Sequence, residues 1–230
     1  MKPATDVAFH RTARFLLAAI VIVVCGSPAC FASDEGDFQF WSTSSVTFDV
    51  NKDWKVALEE GLKLGDDAGN LYYHYTDLGF VYRGLADWID LGFNYKQAFS
   101  EDEEGHWLSE NRPHFNVTVK GRLWDIDLSD RSRFEFRDKQ VDEDLWRYTN
   151  QLKAKLPFEL TRFKLRPYLA DQVYLNLEGQ TFEKNRLYSG FTFKLPKDTE
   201  GGIYYVWQWA ESDGEWSDLN AIGVNLKLFF

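Results

Sequence analysis

Residues 219–230 show a two-residue period of hydrophobic and polar positions. Apolar side chains stand at every second position, namely Ile222, Val224, Leu226, Leu228 and Phe230, with Gly223, Asn225 and Lys227 among the residues between them. Successive side chains of a β-strand point to opposite faces of a sheet. This segment is therefore predicted to be a strand with one apolar and one polar face.

The same period recurs in ten earlier segments joined by turn residues. They are residues 38–50, 54–64, 71–83, 88–99, 114–122, 126–137, 145–156, 164–177, 182–195 and 203–209. Such runs are typical of β-hairpins, so we predict an all-β, antiparallel up-and-down barrel. A chain that enters and leaves a membrane barrel on one side needs an even number of strands. Because Ser42, Ser44 and Ser45 interrupt the first run, ten strands are preferred, with twelve next.

Composition favours a barrel that lies in a membrane. Aromatic residues make up 17% of the chain, and membrane barrels use such residues at both lipid–water interfaces. The mean hydropathy is −0.41, and no segment after residue 32 has the roughly 20 apolar residues of a membrane helix. We predict a transmembrane barrel with its apolar face outward. The alternative is a soluble periplasmic barrel with Phe134, Phe191, Ile222 and Leu226 facing inward.

The start of the chain reads as an export signal. Three basic residues precede a ten-residue apolar segment at 15–24, which is the length of a signal peptide and too short to span a membrane. Cleavage is predicted after Ala32, with Ala29 as the second choice, and leaves a single domain at 33–230. The first choice removes both cysteines, although Cys30 as a lipoprotein cysteine is a minor alternative.

Net charge excludes one class of partner. Without residues 1–32 the chain carries 23 Lys and Arg against 35 Asp and Glu. A nucleic-acid partner is not expected for so acidic a protein.

The polar face is predicted to line the lumen, because a charge on the lipid face near the membrane midplane costs about 2–4 kcal/mol. Basic residues on this face stand at positions 55, 63, 83, 96, 120, 131, 133, 137, 147, 153, 155, 164, 166, 186, 194 and 227, against Asp49, Glu59, Asp77, Asp90, Asp127 and Glu135. The predicted ligand-binding residues of the lumen are Arg131, Arg133, Arg137, Arg147, Lys153, Lys155, Lys164 and Arg166.

Two interpretations of this basic lumen stay open. A narrow barrel fills its interior with side chains. Lys120 and Asp127 would then be paired across a turn centred on Leu123 and Trp124, and such a pair contributes about 0.2–1 kcal/mol. Alternatively, an excess of Lys and Arg attracts anions into a channel.

No catalytic constellation is predicted. The mature chain has three histidines, and the expected register places His114 opposite Arg133 without a serine partner. His74 and Ser132 both face outward but belong to non-neighbouring strands, so a lipid-modifying enzyme is a minority alternative. The acidic run 101–104 lacks the pattern of an EF-hand loop. We therefore predict neither a metal nor a cofactor.

The connections suggest an orientation in the membrane. One class is short, at 51–53, 84–87, 123–125, 157–162 and 196–200, and the other is mostly longer and acidic, at 66–67, 101–104, 142–144 and 211–215. Outer-membrane barrels have short periplasmic turns and longer outer loops, so the acidic class is predicted to lie outside.

Five short motifs occur in order along the chain, at residues 37–41, 51–54, 133–137, 165–168 and 185–190. On these motifs the chain resembles the domain of unknown function 2490 family, a bacterial family of expected outer-membrane barrels. The resemblance implies the outer membrane of a Gram-negative bacterium and supplies no catalytic residues. The expected partners are outer-membrane lipid, lipopolysaccharide and the barrel-assembly machinery, which would recognise the C-terminal Phe230.

Overall fold

A computed structural model describes residues 38–212 and 214–230. The strands are β1 (Phe38–Asp49), β2 (Trp54–Gly65), β3 (Asn70–Ala86), β4 (Ile89–Glu101), β5 (Trp107–Leu123), β6 (Ile126–Lys139), β7 (Leu145–Lys155), β8 (Arg166–Asn176), β9 (Thr181–Leu195), β10 (Thr199–Ser212) and β11 (Glu215–Phe229). Within these two ranges there is no helix long and apolar enough to cross a bilayer. The predicted signal peptide and both cysteines lie outside the described residues.

The strands close into one barrel, which confirms the predicted fold class. Each strand pairs antiparallel with its neighbours in sequence, and β1 closes the barrel by pairing parallel with β11, from Phe38 opposite Asn220 to Thr47 opposite Phe229. The preferred count of ten strands is too low by one. The serines of β1 do not end the strand, because its backbone is paired with β2 on one side and β11 on the other.

Because the number of strands is odd, β1 begins and β11 ends at opposite rims of the barrel. β1 begins at what we call the acidic end, where the connections 66–69, 102–106, 140–144 and 177–180 lie. Phe229 lies at the opposite, C-terminal end, with the connections 50–53, 87–88, 124–125, 156–165 and 196–198. The premise that both termini lie on one side is therefore wrong for this barrel.

Charge rather than length distinguishes the two ends. The four connections named at the acidic end carry nine acidic residues and no Lys or Arg; these residues are Asp66, Asp67, Asp102, Glu103, Glu104, Asp142, Glu143, Asp144 and Glu178. The five connections at the C-terminal end carry five acidic and four basic residues. The connections named at the acidic end have four or five residues, and those at the C-terminal end have two to four except the longest, 156–165, so charge separates the two ends more clearly than length.

The β5–β6 turn shows how the register was misread. Trp124 and Asp125 have φ of 47° and 67°, which is typical of a two-residue type I′ hairpin. Arg122 therefore stands opposite Asp127, and the predicted Lys120–Asp127 pair is wrong by two positions. A shift of two residues keeps every side chain on its face, so the assignment of faces survives.

β5 begins earlier than predicted, and a proline lies inside it. Pro113 has no backbone N–H, and the β5–β6 pairing skips from Asn111 to His114 while the pairing with β4 continues through Pro113. The strand consequently extends back to Trp107. This extension adds Arg112 to the lumen-facing positions.

The two faces of the wall separate apolar from charged side chains as predicted. Phe134 and Ile222 are 44% and 41% exposed on the outside, whereas Glu135 and Arg147 are 2% and 4% exposed within. Phe191 is likewise exposed on the outside. The alternative barrel with these apolar residues turned inward is therefore contradicted.

An apolar cluster lies inside the β1–β11–β10 part of the wall. Trp41, Val206 and Ala221 are buried there as a cluster, with Tyr204 packed against it. Gly223 lets the Tyr204 ring lie flat on the wall, because a Cβ at this glycine would come within 2.1 Å of the ring. The closing strands are thus packed from inside as well as hydrogen-bonded.

Replacing Gly190 by Ala is expected to destabilise the barrel by about 1–3 kcal/mol. The new Cβ would lie 2.5 Å from the Ile203 carbonyl oxygen and 2.9 Å from Tyr204 Cα, which are backbone atoms that cannot rotate away. Urea unfolding of the refolded protein measures the change. Gly121→Ala is the matched control, since nothing lies within 4 Å of its added Cβ. Equal unfolding midpoints for the two variants would contradict the close approach of β9 and β10.

Candidate functional site

The acidic half of the lumen encloses a cavity of about 470 Å³, which we call the acidic-end cavity. Nine basic residues line it, namely Lys63, Lys96, Arg112, Arg131, Arg133, Arg137, Arg147, Lys184 and Arg186. Only three acidic residues, Glu59, Glu110 and Glu135, line it as well. The cavity wall therefore carries a formal excess of six positive charges inside an acidic protein.

Two buried carboxylates hold part of this charge. Arg147 donates from Nε to Glu135 at 2.5 Å and also pairs with it through Nη2, while Arg133 lies 3.9 Å from the same carboxylate. Glu110 accepts from Arg112 at 2.5 Å and from Arg137 at 2.5 and 2.9 Å. These pairs join neighbouring strands β5, β6 and β7 from inside the barrel.

A third carboxylate, Asp77 on β3, extends the network around the wall. It lies 3.4 Å from Lys96 Nζ and accepts a hydrogen bond of 2.8 Å from Asn94. Asn94 in turn accepts from Asn116 at 3.0 Å, and Arg133 donates to Asn116 at 2.9 Å. Polar contacts therefore run without interruption from β3 to β7, and buried polar groups are satisfied in this way.

Four cations of the cavity form no ion pair with a carboxylate among residues 38–212 and 214–230: Lys63, Arg131, Lys184 and Arg186. Lys63 Nζ lies 4.0 Å from the centre of the Trp41 ring, and the Arg186 guanidinium lies 4.6 Å from it. Lys184 Nζ is 5.1 Å from the Tyr174 ring centre. Aromatic faces attract these cations without neutralising them.

Two further polar atoms at the cavity are buried without a hydrogen-bond partner in the described structure. They are Thr149 Oγ1 and Arg112 Nε, and both residues line the acidic-end cavity. Thr149 is only 3% exposed. Unsatisfied buried groups are rare in proteins, so they mark a place where a ligand or water completes the structure.

The structure divides the eight predicted lumen residues into two groups. Arg131, Arg133, Arg137 and Arg147 line the acidic-end cavity together. The others lie elsewhere. Lys155 contacts Glu200 at 3.7 Å; because β7 and β10 are not neighbours, this contact crosses the lumen nearer the C-terminal end. On the same face, Lys153 lies 3.7 Å over the Tyr168 ring.

The last two predicted residues do not join the cluster. Lys164 lies in the 156–165 connection, where its side chain is 64% exposed and contacts Glu159 at 3.7 Å. Arg166 begins β8 and donates to Asp127 at 2.9 Å and to the Leu156 carbonyl. The predicted strand 164–177 began two residues too early, because the backbone is still turning at Lys164, where φ is 52°.

Two cations of the acidic-end cavity were missed by sequence reasoning. Arg112 lies before the predicted run 114–122, whereas the strand begins at Trp107. Lys184 stands two positions before Arg186 and so shares its predicted face, and that signal was available in the sequence. Glu110, which accepts from Arg112, and Glu183, which lies 3.4 Å from Arg147, were missed as well.

The histidines have different surroundings. His74 stacks on Phe99 outside the barrel at 4.8 Å, and His106 contacts Asp102 in a connection. His114 stands opposite Glu135 rather than opposite Arg133 as predicted, and its Nε2 is 3.6 Å from Asp77. In the described part of the chain none of the three hydrogen-bonds a serine hydroxyl.

No three His, Cys, Asp or Glu side chains of the described ranges are placed to bind a metal ion. In the acidic connection 102–106, the amides of His106 and Glu104 donate to the Asp102 carboxylate, and these bonds hold its pKa below the usual value. The Asp102 carboxylate therefore stabilises the turn in which it lies by accepting hydrogen bonds from its backbone amides.

Two further spaces follow the acidic-end cavity toward the C-terminal end. One of about 400 Å³ shares Glu59, Arg131 and Arg133 with the acidic-end cavity. The next, of about 700 Å³, shares Thr47 and Phe229 with the second. The three spaces thus follow one another along the barrel and are separated by shared side chains.

These features define a class of protein: a closed eleven-stranded β-barrel with an apolar outer face and a basic, partly paired interior. A family model described as a protein of unknown function (DUF2490) matches residues 38–219. The chain belongs to this family, as its motifs indicated. No curated protein matches the chain.

Replacing Glu135 by Gln is expected to destabilise the barrel by about 3–5 kcal/mol, because Arg147 would remain buried beside a neutral side chain. Urea unfolding of the refolded protein measures this. Glu200→Gln serves as the control: it removes a carboxylate whose contact with Lys155 is partly exposed, so a cost of at most about 1 kcal/mol is expected. A Glu135 variant as stable as the control would show that the buried pair does not hold the strands together.

Proposed function

We propose that this barrel spans the bacterial outer membrane and conducts small anionic solutes through its lumen. The observation that carries the proposal is the series of three spaces along the interior, the first of which has a strongly basic wall. Rings of Lys and Arg favour anions in pores. The export signal read from residues 1–32 supports the location.

The outer surface supports a membrane environment. Large apolar side chains such as Leu78, Phe93, Leu169 and Ile203 are 41–58% exposed on the outside of the wall. The strands are 11 to 17 residues long, and a tilted membrane strand needs about 9–11. In water such a surface is costly, whereas in lipid it is the stable arrangement.

The proposed location also defines the partners. Outer-membrane lipid and lipopolysaccharide would surround the apolar face, and the assembly machinery would meet the C-terminal strand. Phe230 lies beside this strand on the outside of the wall, where its ring stacks on Phe48 at 5.2 Å. A C-terminal aromatic residue on the outer surface is accessible to such a partner.

A sealed barrel is the second candidate, and one layer of side chains favours it. Glu59, Arg131 and Arg133 stand between the first two spaces. Tyr75 lies in the same layer, donates to Glu59 at 2.7 Å and stacks under Lys96 Nζ at 3.7 Å. If these groups stay in place, anions bind in the acidic-end cavity without passing through.

The membrane proposal is tested with a charge on the outer face. Ile222→Lys is expected to destabilise the barrel in lipid vesicles by about 2–4 kcal/mol, because Ile222 lies in the middle of β11 facing outward. Urea unfolding in vesicles measures the cost. Val50→Lys is the control, since Val50 is exposed in the 50–53 turn. Equal stability of the two variants in vesicles would contradict the membrane-spanning arrangement.

The channel proposal predicts that removing unpaired cations reduces anion selectivity. Arg131 and Lys184 are the suitable targets, because replacing Arg133 or Arg166 would strand the carboxylates they contact. The double variant Arg131→Gln, Lys184→Gln is expected to lower the anion-to-cation permeability ratio by about half, since two of four unpaired cations remain. The reversal potential in planar bilayers under a salt gradient measures this ratio.

A double variant on the surface controls for net charge. Lys52 and Arg162 lie in connections at the C-terminal end, and Lys52→Gln with Arg162→Gln removes the same charge away from the cavity. Its reversal potential should equal that of the parent protein. A parent barrel that inserts but carries no current would overturn the channel and favour the sealed barrel.

A further inference from the structure

We infer that the acidic-end cavity is a binding site for a dianionic phosphoryl group, held between Lys63 on β2 and Lys184 and Arg186 on β9. This inference deepens the proposed function, since it rests on the same basic lumen and names the chemistry that the lumen selects. The convergence, the charge and the donor geometry of these three cations support it.

The three cations converge although their strands are not neighbours. Trp41 on β1 lies between Lys63 and Arg186, at 4.0 and 4.6 Å from its ring centre. Because β9 is separated from β1 by β10 and β11, the Arg186 contact crosses the interior. Cations from two parts of the wall therefore meet over one indole ring.

A second ring gathers cations from β7 and β9. The Tyr174 ring centre lies 5.1 Å from Lys184 Nζ and 5.2 Å from the guanidinium carbons of Arg147 and Arg186. Arg147 is neutralised by Glu135, whereas Lys184 and Arg186 are not neutralised within the described chain. The two rings thus hold an uncompensated set of three charges on one side of the cavity.

A bound anion would stabilise this set of charges. Charges withdrawn from bulk water are paired in stable proteins, and an aromatic ring attracts a cation without supplying a negative charge to pair with it. Repulsion among three nearby cations is relieved most effectively by a ligand that carries at least two negative charges. A monovalent ion such as chloride would leave most of the excess in place.

The donor geometry favours a phosphoryl group over a carboxylate. Arg186 already donates from Nε to Gln208 at 2.7 Å and from Nη1 to the Tyr174 hydroxyl at 2.9 Å, so each of its two bidentate edges, Nε–Nη2 and Nη1–Nη2, has one donor in use. The two lysines are point charges with three donors each and suit tetrahedral oxygens. The buried Thr149 hydroxyl and Arg112 Nε, both without a partner in the described structure, are further donors at the same cavity.

The same chemistry is available from two sources. A free phosphate or a phosphorylated solute would reach the site through the lumen, and the volume of about 470 Å³ admits a small one. A phosphomonoester headgroup of a lipid offers the same dianion. The test below separates these sources.

The test is calorimetric titration of the full-length barrel, refolded in detergent, with inorganic phosphate at pH 8, where it is mainly dianionic. One saturable site is expected. Lys184→Gln should weaken binding at least about tenfold, because it removes a charge-assisted hydrogen bond. Lys194→Gln on the same strand is the control: Lys194 lines the space at the C-terminal end, so unchanged affinity is expected.

A second variant protects the test against a folding defect. Lys63→Arg keeps the charge and should retain binding to within a few-fold, whereas Lys63→Gln should weaken it like Lys184→Gln. No saturable phosphate binding by the parent protein, equal effects of Lys184→Gln and Lys194→Gln, or citrate binding as tightly as phosphate would each overturn the inference.

The outcome is independent of conduction. Saturable phosphate binding by a barrel that carries no current supports this inference and overturns the channel, while an anion-selective pore without phosphate binding does the reverse. Titration with a sugar monophosphate and with detergent micelles containing lysophosphatidic acid identifies the source. Tighter binding of the first supports a soluble ligand, and tighter binding of the second supports a lipid headgroup.

Discussion

Closure of the wall by the parallel pairing of β1 with β11 is the constraint on which the rest of the barrel depends. An open sheet would leave two rows of unpaired backbone groups, one along each edge strand. Ten residues of each strand pair across the closure, and its end is fixed by hydrogen bonds of 2.9 Å from Phe230 N to Thr47 O and 3.1 Å from Asp49 N to Phe230 O. Trp41 and Ala221 cover the same strands from inside. With the wall closed, the polar face of every strand is confined to a small common interior.

That confinement divides the interior charges into two groups. The cations Lys96 and Arg147 contact carboxylates on adjacent strands, and Arg133 contacts Glu135 on its own strand, so this network helps to hold the wall together from β3 to β7. On β2 and β9 the cations Lys63 and Lys184 lie against aromatic rings instead. Loss of a cation from the first group leaves a buried carboxylate unpaired, whereas loss from the second relieves repulsion. The cations that pair with carboxylates and those proposed to bind a ligand are thus different residues of one lumen.

The sequence was sufficient to predict which side chains face outward and which face the lumen. It was not sufficient to predict which residues stand opposite each other on paired strands. Alternation placed Phe134 outside and Glu135 inside, and even the misread turn at Trp124 preserved these faces because the error was two residues. The strand count depended on a contact between the first and last strands, which no local pattern reports. Similarly, the alternation does not show whether Lys184 or Arg147 is neutralised. That depends on the neighbouring strand and on bulges, such as the register shift near Glu183, which contacts Arg147. Four of the eight predicted lumen residues therefore lie together in the acidic-end cavity. The sequence placed the excess positive charge in the lumen but did not show which cations pair with carboxylates.

The acidic end and the basic cavity behind it act on an anion in opposite directions. Nine carboxylates in the connections repel it, while a formal excess of six positive charges attracts it once inside. Exposed charges are screened within about 8 Å at physiological ionic strength, whereas charges lining a low-dielectric wall are screened much less. Salt therefore weakens the outer barrier more than the inner attraction. In the proposed anion-conducting barrel, the acidic residues would set how fast an anion arrives, and the cations without a carboxylate partner in the described structure would decide which anion stays.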